Sequence, residues 1–209
     1  EFRQGYIGPL MQRYGNMLRV GDCPADALSN RVGSIDLGLT SGETAVHSDM
    51  LIWNGGDNVE SAAMQLIAVL YCVPQISVRI DALPESHRKM LKFYLKFWRN
   101  HRDVLLCGRL RVFAPEANYS MAIAEKDGRM IATAYTNPVL DLDDSDKDSG
   151  INKDRNMGIH TSTNTDPHPG PQEIIFVNGT GGTSLFVRDM GRFDAGTYEI
   201  LDCMGTRVT

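Results

Sequence analysis

Between Asn16 and Leu106 the sequence alternates three times between a short apolar strand pattern and a longer helical one. No other feature constrains the fold as strongly. Asn16 to Val20 reads as a strand that stops at Gly21-Asp22, and Ala27, Leu28, Val32, Ile35 and Leu39 then mark a helical face over residues 25–39. Thr40-Ser41-Gly42 breaks that helix. A second strand over 44–47 and a second helix over 58–71 follow, then a third strand over 75–80, preceded by Pro74. The third helix, 84–106, is the most sharply written. Pro84-Glu85 suit a first turn, and Met90, Leu91, Tyr94, Leu95, Phe97 and Trp98 recur at three- and four-residue steps until Gly108 stops the pattern. Three successive βα units predict parallel strands joined by right-handed crossovers, in a sheet or a barrel.

After Gly108 the pattern changes. Residues 109–113, 119–126 and 129–135 read as strands, with Asp127-Gly128 as a hairpin turn. Residues 141–171 are polar, acidic and rich in Asn, Thr and Pro, which predicts a long loop. Strands return at 173–177, 183–187 and 197–201. Residues 109–209 are therefore expected to form an antiparallel β domain, a sandwich, distinct from an α/β unit over 1–108.

With 209 residues and 42% hydrophobic content, the chain can bury one large core or two small ones. Its net charge is -5 and its Lys and Arg form no block in sequence, which argues against a nucleic-acid or anionic-membrane partner. The longest apolar run, 62–73, is interrupted by Gln65 and is too short to span a bilayer. The four cysteines form no CxxC pair, so neither a zinc knuckle nor a thioredoxin motif is expected. Reading Asp144, Asp146 and Asp148 as calcium ligands fails, because Ser149 stands where the loop needs Gly and Arg155 where it needs Glu. Asn178 to Thr183, NGTGGT, lacks the Lys and following helix of a phosphate loop and reads as a turn. No metal or cofactor is implied.

Asp22 is the leading candidate for chemistry. It follows a strand that enters a helix, the edge where parallel α/β enzymes keep their functional groups. It could instead cap the helix, but Asp26 lies nearer the helical run and is the better cap, which leaves Asp22 free for another role. His47 and Asp49 close the second strand at the same edge, as substrate contacts or as satisfied structural groups. Trp53 follows, either to stack on a sugar ring or to fill the core. Trp98 lies on the most periodic helix and reads as core.

The runs GNMLRVGDCPADALSNRVGSIDLGLTSGETAVHSDM and PQISVRIDALPESHRKMLKFYLKFWRNHRDVLL resemble the melibiase-type α-galactosidases over about residues 5–135. In that family a Ser-Asp or Gly-Asp step at the sixth barrel strand precedes a second Asp and an Arg; here these are Gly21-Asp22, Asp26 and Arg31. The seventh strand ends in a Ser-His or similar pair, here Val46-His47-Ser48. The resemblance implies an α/β segment followed by an all-β one: the last three βα units of a (β/α)8 TIM barrel, then a C-terminal antiparallel β-sandwich. It also implies retaining hydrolysis of terminal α-galactosides or related oligosaccharides, with Asp22 as general acid/base and Arg19, Arg31, His47, Asp49 and Trp53 shaping the sugar subsite. The family's nucleophile belongs to an earlier Lys-x-Asp strand that has no counterpart here, so the polypeptide alone is expected to be nearly inactive. The competing expectation is a non-catalytic carbohydrate-binding or scaffold protein. A third is a hydrolase of the same clan acting on α-N-acetylgalactosaminides or transferring galactosyl groups.

Overall fold

The computed structural model describes residues 8–136, 139–141, 156–158, 173–180, 186–188 and 197–208. A single helical turn, α1 (Pro9–Gln12), precedes β1 (Met17–Arg19). The alternation read from sequence then follows as α2 (Ala27–Thr40), β2 (Ala45–Leu51), α3 (Val59–Ile67), β3 (Val73–Ile76) and α4 (Glu85–Cys107). The three strands form one parallel sheet in the order β1-β2-β3. Pro74 is tolerated in β3 because β3 is an edge strand. Gly33 lets α2 sit close against Val20, the residue that follows β1. A Cβ there would lie 2.7 Å from Val20 Cγ1, closer than van der Waals contact allows.

The second half begins with β4 (Arg109–Phe113), β5 (Met121–Lys126) and β6 (Arg129–Ala134). It continues through β7 (Val139–Asp141), β8 (Asn156–Gly158), β9 (Glu173–Asn178), β10 (Phe186–Arg188), β11 (Thr197–Leu201) and β12 (Arg207–Val208). Six of these strands form one sheet in the order β12-β11-β9-β6-β5-β4, while β10-β7-β8 form a small parallel one.

This corrects the expected fold class. The molecule is a small α/β protein, not the end of a TIM barrel followed by a β-sandwich. Three parallel strands make an open sheet and close no barrel. The larger sheet is mixed. The Asp127-Gly128 hairpin makes β5 and β6 antiparallel, but β6–β9 and β9–β11 run parallel. Parallel neighbours require long connections, and β6 and β9, like β9 and β11, are far apart in sequence. The expected loop over 141–171 lies largely outside the described residues, as does most of the acidic run; within it, Asp141 belongs to β7 and residues 156–158 form β8.

One apolar core joins both halves, running from Leu18 and Ile35 through Ile67, Tyr94 and Val104 to Ala122, Ile131, Ile175 and Leu201. Polar tethers reinforce it. Tyr71 Oη lies 2.7 Å from the Ala122 carbonyl and 2.9 Å from Thr133 Oγ1. Tyr94 Oη donates to the Cys203 carbonyl at 2.7 Å, and Trp98 Nε1 to the Cys72 carbonyl at 2.9 Å. Trp98 is packed against the core, as its periodicity predicts. A second, smaller cluster, including Met121, Ile123, Met130 and Phe176, fills the opposite face of the six-stranded sheet.

Candidate functional site

The C-terminal edge of the parallel sheet is built around the loop 20–26 and a break in β2. Pairing of β2 with β3 runs His47 to Val73, then Met50 to Gln75, so β2 carries one extra residue between them. Ser48 and Asp49, the successive residues at this bulge, are both buried. The Ser48 hydroxyl takes the place of a ladder acceptor: Gln75 N donates to Ser48 Oγ at 2.9 Å.

Asp49 is fully buried and anchors the loop. Its Oδ2 accepts from Cys23 N at 2.6 Å, and its Oδ1 lies 3.5 Å from an Arg19 guanidinium nitrogen. The same nitrogen lies 3.6 Å from Asp22 Oδ1. Arg19 is 7% exposed in its side chain and Asp22 77%, so a buried cation links a buried carboxylate to one in solvent.

Asn30, on the inner face of α2, closes the arrangement from behind. Its Nδ2 donates to the Cys23 carbonyl at 3.1 Å, and its Oδ1 accepts from Asp49 N at 2.7 Å. Farther along the loop, Ala25 adopts a left-handed φ of 63°. It is held by Ala25 N donating to the Met50 carbonyl at 3.2 Å and by Gln65 Nε2 donating to the Ala25 carbonyl at 2.6 Å. A left-handed alanine costs about 1–2 kcal/mol, and such strain persists only where surrounding contacts enforce it. Asp26 is the N-cap of α2, its Oδ1 accepting from Ser29 N at 3.0 Å and its Oδ2 from Ser29 Oγ at 2.6 Å. These bonds, led by that of the Ser29 hydroxyl, hold its carboxyl below the usual range.

The expected site residues are therefore only partly gathered. Arg19, Asp22 and Asp49 meet. His47 lies within β2 rather than at its end, half-buried, with Nδ1 3.3 Å from Gln75 Nε2. Trp53 is buried in the core, so its indole presents no open face for a sugar. Arg31 turns to Tyr135, its guanidinium carbon 4.3 Å from the ring centroid, and burial lowers its pKa. Asn30, Ser48 and Gln65 escaped the sequence reading. The available signal was a polar residue, Asn30, on the core-facing side of a helix that also buries Ser34 and Ile35.

Cys23 stands among these carboxylates. Burial first, then Asp49, Asp26 and Asp22, pushes its thiol up to about 11, which denies it a nucleophilic thiolate at neutral pH. Among the described residues no group of three or more His, Cys, Asp or Glu side chains is placed to hold a metal ion, and no helix is long and apolar enough to cross a membrane. No known family model, curated protein or solved structure matches the chain.

Proposed function

We propose that the loop 20–26 is the acid/base side of a glycoside-hydrolase site acting on terminal α-galactosides, with Asp22 as the proton donor and Arg19 as the group that orients it. The carrying observation is the Arg19 bridge. It brings a solvent-reaching carboxylate at the C-terminal edge of a parallel sheet to the guanidinium that also faces a buried one. Three features that each cost stability converge there: the β2 bulge, the left-handed Ala25 and the buried Arg19–Asp49 pair. Such costs cluster where a fold positions a functional group.

Retaining hydrolysis also needs a nucleophile about 5 Å from the acid. Asp49 cannot attack an anomeric carbon, because it is fully buried, and Asp26 is engaged in the helix cap. Asp36 accepts the Tyr119 hydroxyl. In this reading the attacking carboxylate comes from outside the loop, and Asp49 is a positioning residue.

Titrating methyl α-galactoside into the isotope-labelled chain tests the proposal. The expected result is saturable shifts at the Gly21, Asp22 and Cys23 amides that vanish in Asp22→Ala. Shifts confined to the six-stranded sheet would favour a non-catalytic carbohydrate-binding protein. Absence of shifts at saturating sugar would end both readings.

A further inference from the structure

The outer face of α4 forms a groove of about 770 Å³ whose rim is basic and whose floor is apolar. Arg88, Lys92, Lys96, Arg99 and Arg102 line it, all exposed, while Ile80, Leu91 and Leu95 supply the apolar surface. Among the described residues, no carboxylate lines the groove. From Arg88 to Arg102 the row is about 21 Å long at the rise of an α-helix.

This is not how a merely solvated helix face is composed. Arg88, Lys92 and Lys96 follow one another at four-residue spacing, where like charges destabilise a helix and an acidic partner would stabilise it. Arg88 has Glu85 at 2.9 Å. Asp103, four residues after Arg99, is engaged by Arg129 of β6. Among the described residues, Lys92, Lys96, Arg99 and Arg102 have no carboxylate within ion-pair distance. Ile80 remains 53% exposed at the groove edge. Among the described residues, four of the five cations in this row meet no carboxylate, and they stand over an apolar floor on a chain of net charge -5.

We propose that this groove docks an acidic protein segment whose apolar side chains seat on Ile80, Leu91 and Leu95 while its carboxylates pair with the α4 cations. Charge complementarity selects an anionic occupant, and the apolar floor selects a peptide. Single-stranded nucleic acid binds by stacking bases on aromatic side chains, and among the described residues no aromatic side chain lines the groove. The length suits a helix or strand laid along α4. The inference is independent of the proposed glycosidase site.

Selection of a random peptide library on the full chain tests it. The expected result is enrichment of peptides combining Asp and Glu with Leu, Ile or Phe. Their binding should weaken about tenfold or more in the triple variant Lys92→Glu, Lys96→Glu, Arg99→Glu, and should weaken with added salt. If that variant is misfolded by circular dichroism, Lys92→Gln with Lys96→Gln, which relieves like-charge repulsion, must still weaken binding. Ile80→Ser must weaken it too. Enriched peptides that are not acidic, binding unchanged in these variants, a single-stranded oligonucleotide that binds as tightly, or a dimer of the chain that the same variants dissociate would each overturn the proposal.

Discussion

The Asp49 carboxylate, fully buried, faces the buried Arg19 guanidinium across the β1–β2 pair at 3.5 Å, while Asp22, bound to the same nitrogen, stands in solvent. The two carboxylates should therefore behave oppositely on removal. Asp49→Ala leaves a buried cation poorly neutralised and frees the Cys23 amide, at a cost of about 3 kcal/mol. Asp22→Ala removes an exposed partner and should change stability by less than about 1 kcal/mol. Urea unfolding of both variants checks this. A large loss in Asp22→Ala would place that residue in the scaffold rather than at the site.

The acid role proposed for Asp22 carries its own signature. On the proposed glycosidase reading, Asp22→Asn in a form that hydrolyses α-galactosides should slow hydrolysis of those with poor leaving groups by about a hundredfold or more, and of activated aryl α-galactosides far less, because the latter need little proton donation. Comparing kcat/KM for the two substrate classes decides it. Equal loss on both would argue that Asp22 only binds the sugar.

Much of this architecture was legible in the sequence, and what was not has a physical origin. The βα alternation survives because each helix has its own signals: Asp26 capping α2, Asn58 capping α3, Pro84 before α4. The direction of β9 and β11 was not legible, since strand composition does not encode which neighbour a strand joins after a long connection. Asp26 was legible as the cap of α2 because it stands three residues before Ser29, whose amide its carboxylate accepts. The burial of Asp49 was hidden. Two successive polar residues at the end of a short strand read as exposed, and nothing in the sequence marks the bulge at which both are buried.

The close approach of α2 to Val20 rests on Gly33. Gly33→Ala would drive a methyl group into Val20 and should cost about 1–3 kcal/mol as the helix shifts outward. Val20→Ala, combined with it, should recover part of that loss by removing the clashing methyl groups. Thermal unfolding of the two single variants and the double one measures the coupling. Strict additivity would mean that the two residues do not meet.

Tyr71 ties the segment after α3 to the six-stranded sheet. Burial pushes its phenol well above the ordinary value, so it stays protonated and can donate to the Ala122 carbonyl throughout the physiological range. Tyr71→Phe keeps the packing but leaves that carbonyl and the Thr133 hydroxyl with one partner fewer. The expected cost is about 1–3 kcal/mol. Tyr71→Phe with Thr133→Val, which removes both polar groups, should cost less than the sum of the single changes.

Stability should fall in two separate steps as pH is lowered. His101 is half-buried, with its ring 4.7 Å from that of Phe97, and burial lowers its pKa from the ordinary 6.5 despite nearby Glu173. Above 6.5 the imidazole is neutral in both folded and unfolded chains and the contribution is complete. As pH drops through 6.5 the unfolded chain takes up a proton first, so stability declines until the folded state is protonated as well. Asp103 acts lower. The hydrogen bond from Arg129 holds its carboxyl below 3.8, so its contribution is present above 3.8 and is lost as pH falls through the lower folded value. Urea midpoints measured across the acidic range should show the upper step disappear in His101→Gln and the lower one diminish in Asp103→Asn. An upper step that persists in His101→Gln would assign it to another group.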